Sequence, residues 1–237
     1  MTFKHAHLTL VCLAATSILG LESRAQASPI ILNGSFESTT LTNSGRFNTT
    51  DVADWTTSSY TFLVFPGTAQ TGIGGGVKLY AGFSPDLMPA TSPDGGNFVA
   101  ADGAYQTGKI SQTMNGLTAG LTYNVSFYQA GAQQQGFNGN TTDRFEVFFG
   151  AQTKYSDLLT NPSHGFQPWE KQTLSFTATS TTEVLSFLAV GTPNGVPPFT
   201  LLDGVSVTST PEPAFMGLIG AGLLALGAFR RKSKTRP

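Results

Sequence analysis

Tyr123-Asn124-Val125-Ser126-Phe127-Tyr128 sets apolar side chains against polar ones at a period of two, the pattern of a half-buried β-strand. The same alternation returns in Phe145-Glu146-Val147-Phe148-Phe149 and in Thr173-Leu174-Ser175-Phe176-Thr177. Val184 to Val190 is apolar on both faces and is expected to be a central strand. Further strands are expected at Pro29–Leu32, Tyr60–Phe65, Val77–Ala81, Asn97–Ala100, Lys109–Met114 and Phe199–Val207, with Tyr155–Leu159 open to a helical turn. Between them stand Pro93-Asp94-Gly95-Gly96, Asn115-Gly116, Asn138-Gly139 and Pro193-Asn194-Gly195, all of them turn chemistry. Many short strands punctuated by Gly and Pro imply an all-β sandwich.

Composition narrows the function classes. The 237 residues include 27 Gly and 18 Phe but only 11% charged residues, so Thr, Ser, Asn and Gln supply the polar surface. Residues 28–210 carry six Lys and Arg against twelve Asp and Glu. That balance leaves no basic footprint, and nucleic acid is not an expected partner. The single Cys, Cys12, excludes an intramolecular disulfide and any cysteine-rich metal site. A domain of this size buries roughly 70% of its chain surface and needs no disulfides.

Both ends read as addresses. Residues 1–27 form a signal peptide: Lys4, an apolar run from Leu8 to Leu21, and a small-x-small cleavage pattern at Ala25-Gln26-Ala27. Cys12 leaves with it. Residues 211–237 open on Pro211-Glu212-Pro213, continue through the uncharged apolar stretch 214–229 as a transmembrane helix, and end on a basic tail with Arg230 and Arg231. The basic cluster belongs on the cytoplasmic side, which places residues 28–210 outside the cell. This tripartite tail resembles the PEP-CTERM sorting signal of bacterial surface proteins. The resemblance implies exosortase as a partner, a transient inner-membrane anchor, processing near Pro211-Glu212-Pro213, and a destination at the cell surface or in the extracellular matrix.

The middle opens on Asn33-Gly34-Ser35-Phe36-Glu37, passes Asp54-Trp55-Thr56, Asp94-Gly95-Gly96-Asn97-Phe98 and Ile110-Ser111-Gln112-Thr113, and closes on Leu201-Leu202-Asp203-Gly204-Val205-Ser206-Val207. By the period of two, Phe199, Leu201, Asp203, Val205 and Val207 share one face, so Asp203 is a carboxylate in an apolar row. A buried charge there is costly unless it is paired or holds a metal; hydrogen bonds from backbone amides at a strand end are the simpler way to satisfy it. The series of motifs is similar to the galactose-binding-like jelly-roll β-sandwiches of carbohydrate-binding modules. That resemblance implies a structural calcium shared by Glu37 and Asp203. Where those families often carry a second acidic residue, this chain has Gly204. Calcium takes six to eight oxygens, so carbonyls or waters would complete the shell.

Sugar platforms are usually aromatic, and Trp55, Trp169, Tyr60, Tyr105, Tyr128 and Tyr155 are the candidates. Tyr128 leads, because it shares an expected outward face with Asn124 and Ser126; the ligand-binding set is Tyr128, Trp55 and Asn124. Catalysis finds little in the residues. His164 is the sole histidine after signal removal, no Gly-x-Ser-x-Gly elbow occurs, and a glycoside-cleaving pair would fall to Glu146 and Glu170. The reading is an exported, non-catalytic polysaccharide-binding module, with a structural exopolysaccharide or biofilm matrix protein as the alternative and a glycoside hydrolase as the remote one. With His164 alone titrating near neutrality, stability is expected to be flat from about pH 6 to 8.

Overall fold

The computed structural model describes residues 30–80 and 91–210. The signal-peptide and sorting-tail expectations, with Ala25, Ala27, Pro211, Glu212, Pro213, Arg230 and Arg231, lie outside the described residues. Within them the chain forms thirteen strands: β1 (Gly45–Arg46), β2 (Thr56–Thr57), β3 (Thr61–Val64), β4 (Leu79–Tyr80), β5 (Phe98–Asp102), β6 (Lys109–Asn115) and β7 (Thr122–Gln134), then β8 (Thr141–Phe149), β9 (Gln152–Tyr155), β10 (Leu159–Asn161), β11 (Phe166–Thr177), β12 (Thr182–Thr192) and β13 (Pro198–Ser209). Two antiparallel sheets face each other. The seven-stranded sheet runs β1-β3-β5-β13-β7-β11 with β4 on β7, and the six-stranded sheet runs β10-β8-β12-β6-β2 with β9 on β8. β12, which contains Val184 to Val190, is central as its composition requires.

The phenylalanine content fills the space between the sheets. Phe127, Phe145 and Phe187 meet edge to face, with centroids 5.0–6.1 Å apart, and Phe149 stacks on Phe176 at 5.3 Å. A second apolar cluster lies on the other side of the seven-stranded sheet. There Phe62, Val64, Phe98, Ala100, Ala130, Ala132, Phe199 and Leu201 are covered by Ala69, Ile73, Val77 and Leu79. This half of the sheet is therefore sandwiched twice, which is why β5 is buried along its whole length.

Three local expectations change. Ile30–Leu32 is not a strand; the Gln112 side chain replaces a ladder, accepting from Leu32 N and donating to Leu32 O at 2.8 Å each. Tyr155–Leu159 holds no helix: Tyr155 ends β9 and Leu159 begins β10. The apolar row of β13 is also not one row. The register with β7 shifts between Asp203 and Ser206, at Gly204 with φ 58°. Phe199 and Leu201 therefore face the second cluster, whereas Leu202, Val205 and Val207 face the inter-sheet core. A bulge inserts one residue and reverses every side chain beyond it.

Candidate functional site

The opening motif is shaped to deliver Glu37. Asn33 and Phe36 both take left-handed backbone, at φ 48° and 56°, and Phe36 N–H closes the turn on Asn33 O at 3.1 Å. The Asn33 side chain ties the turn down, accepting from Ser38 N and donating to Ala53 O. Gly34 O accepts from Val205 N at 2.9 Å, and a Cβ on Gly34 would overlap the Val205 carbonyl. The motif thus lies directly on β13, just past Asp203. Gly34→Ala is expected to cost about 2 kcal/mol by overpacking at this contact, read as a lowered denaturation midpoint in the full chain.

Glu37 leaves that turn and accepts from Asn97 N–H through Oε1 at 2.6 Å. A Cβ at Gly96 (φ 70°) would overlap the Glu37 carboxylate, so only glycine fits the loop against it. Asp203 forms the floor. It is fully buried, and neither carboxylate oxygen has a hydrogen-bond partner. Its pKa is raised from 3.8 to about 7, chiefly by burial, with the nearby Ser92 hydroxyl and Gly204 N–H opposing the shift and the Asp94 and Glu37 carboxylates adding to it. Glu37 and Asp94 are themselves exposed, whereas Asp203 beneath them is not.

Two orphaned oxygens on a buried carboxylate, with two further carboxylates at the rim, fit a hard cation. Among the described residues no three His, Cys, Asp or Glu side chains form a ready-made metal cluster. Gly204 also has a stated role: a Cβ there would lie 2.9 Å from Tyr128 Cδ2 and 3.1 Å from Asp94 Cβ. The bulge needs the absence of a side chain more than it needs a second acid.

The loops at the other end of β13 enclose a pocket of about 400 Å³, lined by Tyr60, Tyr105 and Phe137 with Asp102, Gln106 and Gln134. Asp102 builds its wall: Oδ1 accepts from Ala104 N and Tyr105 N at 2.9 and 3.0 Å, and Oδ2 from Gln106 N at 3.2 Å. Tyr105 is held by its backbone N–H, and the residue is 69% exposed. Rings for a pyranose face and amides for its hydroxyls converge here.

The sequence-derived candidates are scattered differently. Tyr128 lies half-buried, opposite Asp203 across β13 and β7, with the Lys171 ammonium 5.9 Å from its ring. Asn124 lies on the same face, where its Oδ1 accepts from Ser175 Oγ at 2.6 Å. Trp55 is a core residue and not a platform. It is 1% exposed, packs on Phe36 at 5.1 Å, and donates its indole N–H to Asn33 O. Trp169 packs edge-on against Phe98 at 5.4 Å. Glu146 and Glu170 belong to different sheets, and His164 stacks on Tyr80 with Nε2 hydrogen-bonded to Asn138 Oδ1. Asp94 and Phe137 were not legible as site residues, because only strand pairing shows which loops share an end.

Residues 209–232 match the PEP-CTERM protein-sorting motif, which marks an exported protein held by a C-terminal membrane anchor before processing. The chain is 27% identical over 205 residues to halomucin of Haloquadratum walsbyi, spanning 86% of this chain and 2% of that protein. Among solved structures it is similar to TmCBM61 in complex with β-1,4-galactotriose (TM-score 0.42, 16% identity, 77% of this chain and 99% of that one). It is also similar to a CBM4 structure (0.34, 16%, 76% and 99%) and to the K1 cleaved adhesin domain of Lys-gingipain from Porphyromonas gingivalis W83 (0.41, 10%, 67% and 92%). An all-β jelly-roll sandwich followed by a PEP-CTERM sorting motif is the organisation of this chain.

Proposed function

We propose that the protein is a non-catalytic polysaccharide-binding module, sorted through exosortase to the cell surface or the extracellular matrix. The pocket formed by Tyr60, Tyr105 and Phe137 carries this reading, because it joins one exposed and two half-buried rings to amides in one concavity. Calcium is the ion we assign to Asp203, Glu37 and Asp94, where it would stabilise the closing strand against the opening turn. Tyr128, with Asn124 beyond it, forms a secondary contact surface beside that ion.

β13 runs from Pro198, next to the pocket wall at Pro197, to Ser209, where the sorting motif begins. Twelve residues of strand separate the two by roughly 40 Å. The pocket therefore points away from the attachment end, as a module that captures glycans outside the membrane requires. A matrix protein without a defined ligand is the second reading. It is supported by the paired hydroxyls Thr122–Thr177 and Ser126–Thr173, a polar strip along the edge strand β11.

Calorimetric titration of neutral oligosaccharides into the full chain in detergent tests the proposal. Saturable binding is expected, weakened about tenfold in Tyr105→Ala, since a ring against a sugar face supplies about 1.5 kcal/mol. Release of reducing ends, or unchanged binding in Tyr105→Ala, would contradict it.

A further inference from the structure

Side chains on the outer face of the six-stranded sheet form two rows, with Ser186 buried mid-row and accepting from Ser111 Oγ at 2.9 Å. Register sets Thr56, Ser111, Ser186, Phe148 and Thr153 side by side across five strands, and next to them Lys109, Leu188, Glu146 and Tyr155. A groove of about 490 Å³ flanks the rows, lined by Thr56, Ser111, Thr113, Asn115, Leu32 and Val184, with Asp54 and the engaged Gln112 also on its wall. Val184 and Tyr155 are 44% and 48% exposed. Hydroxyls, an amide and aliphatic side chains thus share one strip of surface.

Two cations on this face rest on aromatic rings at short range. The Lys109 ammonium stands 3.4 Å from the centroid of Phe148, and the Arg144 guanidinium 4.2 Å from that of Tyr155. Glu146, the one carboxylate in these rows, accepts from Tyr155 Oη at 3.1 Å. A cation resting on a ring is partly dehydrated and held in place, so less ordering is lost when an anion reaches it. Lys109 and Arg144 lie two strands and one row apart, about 12 Å between backbones. A single sugar cannot bridge that span, but a chain can.

We propose that this face is a second glycan site, separate from the loop pocket, which takes a carboxylate-bearing polysaccharide chain obliquely across the rows, from Thr113 and Ser111 past Lys109 to Arg144. Hydroxyls of the chain meet Ser111 and Thr113, and its carboxylates meet Lys109 and Arg144. A protein with two such sites can join one polysaccharide to another.

The test is titration of the full chain in detergent with oligogalacturonate, with a neutral galactan oligomer and oligoglutamate of matched length as controls. Oligogalacturonate binding is expected to fall about tenfold in Lys109→Ala and in Arg144→Ala, the loss typical of one hydrogen bond to a charged group. It should persist in Lys109→Arg and Tyr105→Ala, weaken as salt is raised, and tighten in Glu146→Gln. Equal affinity in the Lys109→Ala, Arg144→Ala double variant would overturn the proposal. So would oligoglutamate binding as tightly as oligogalacturonate, which would mark a surface for acidic polypeptides instead. Loss of oligogalacturonate binding in Tyr105→Ala would place the ligand in the loop pocket and also overturn it.

Discussion

Without divalent cations, the protein should lose stability as pH rises from about 4 to about 7, by roughly 4 kcal/mol from Asp203 alone. Its carboxyl titrates near 3.8 when unfolded and is raised to about 7 in the fold, chiefly by burial and then by Asp94 and Glu37. The folded state therefore favours the neutral form. Its contribution is complete below the unfolded pKa and is lost as pH climbs through the folded one. Asp143 acts in the same direction. It is wholly buried and held well above 3.8 by desolvation, with the Asp102 carboxylate adding to the shift and the Thr200 and Thr141 hydroxyls opposing it. The flat profile expected from His164 alone is thereby replaced by a slope. Asp203→Asn should remove the Asp203 share of the slope, at about 2–4 °C of melting temperature per kcal/mol, and leave that of Asp143. Calcium at tenfold its Kd should return about 1.4 kcal/mol at pH 8 and nothing in Asp203→Asn. A melting temperature constant between pH 4 and 8 would contradict the assignment.

Phe187→Ala should be as damaging as any single core truncation, costing about 3–5 kcal/mol. The ring is fully buried at the crossing of the two sheets, in contact with Phe127 and Phe145 and 6.3 Å from Trp55. Its removal leaves a cavity that rings fixed on both sheets cannot close. Urea denaturation of the full chain reads the loss as a lower midpoint with an unchanged slope. A loss below about 1 kcal/mol would mean that the sheets do not pack as described.

Period-two patterning carried the fold well where strands are regular. Tyr123 to Tyr128 and Phe145 to Phe149 lie as read, and the two-sided apolar run of β12 did mark the centre of its sheet. It misled in β13, where Phe199, Leu201, Asp203, Val205 and Val207 alternate without a break in the sequence but not in space. Gly204 was the available signal, since a glycine inside a strand often marks a bulge. Glu37 and Asp203 came as a pair only from the family resemblance; the Gly34–Val205 contact lays the opening turn on the closing strand, near enough for the Glu37 carboxylate to act on Asp203. Trp55 misled because an Asp-Trp-Thr run can lie inside or outside a sandwich; its burial follows from the turn at Asn33 that accepts its N–H. The loop pocket was illegible as a unit. Tyr60, Tyr105 and Phe137 come from three connections that meet only once β3, β5 and β7 have found their places.

The most direct measurement is an NMR map of amide shifts on adding a neutral oligosaccharide to the full chain in detergent. Perturbations should concentrate on Tyr60, Tyr105, Gln106 and Phe137, saturate with ligand, and leave the outer face of β8 and β12 unchanged. Shifts confined to Tyr128 and Asn124, or no saturable shifts with any glycan tried, would contradict a binding module built on the loop pocket.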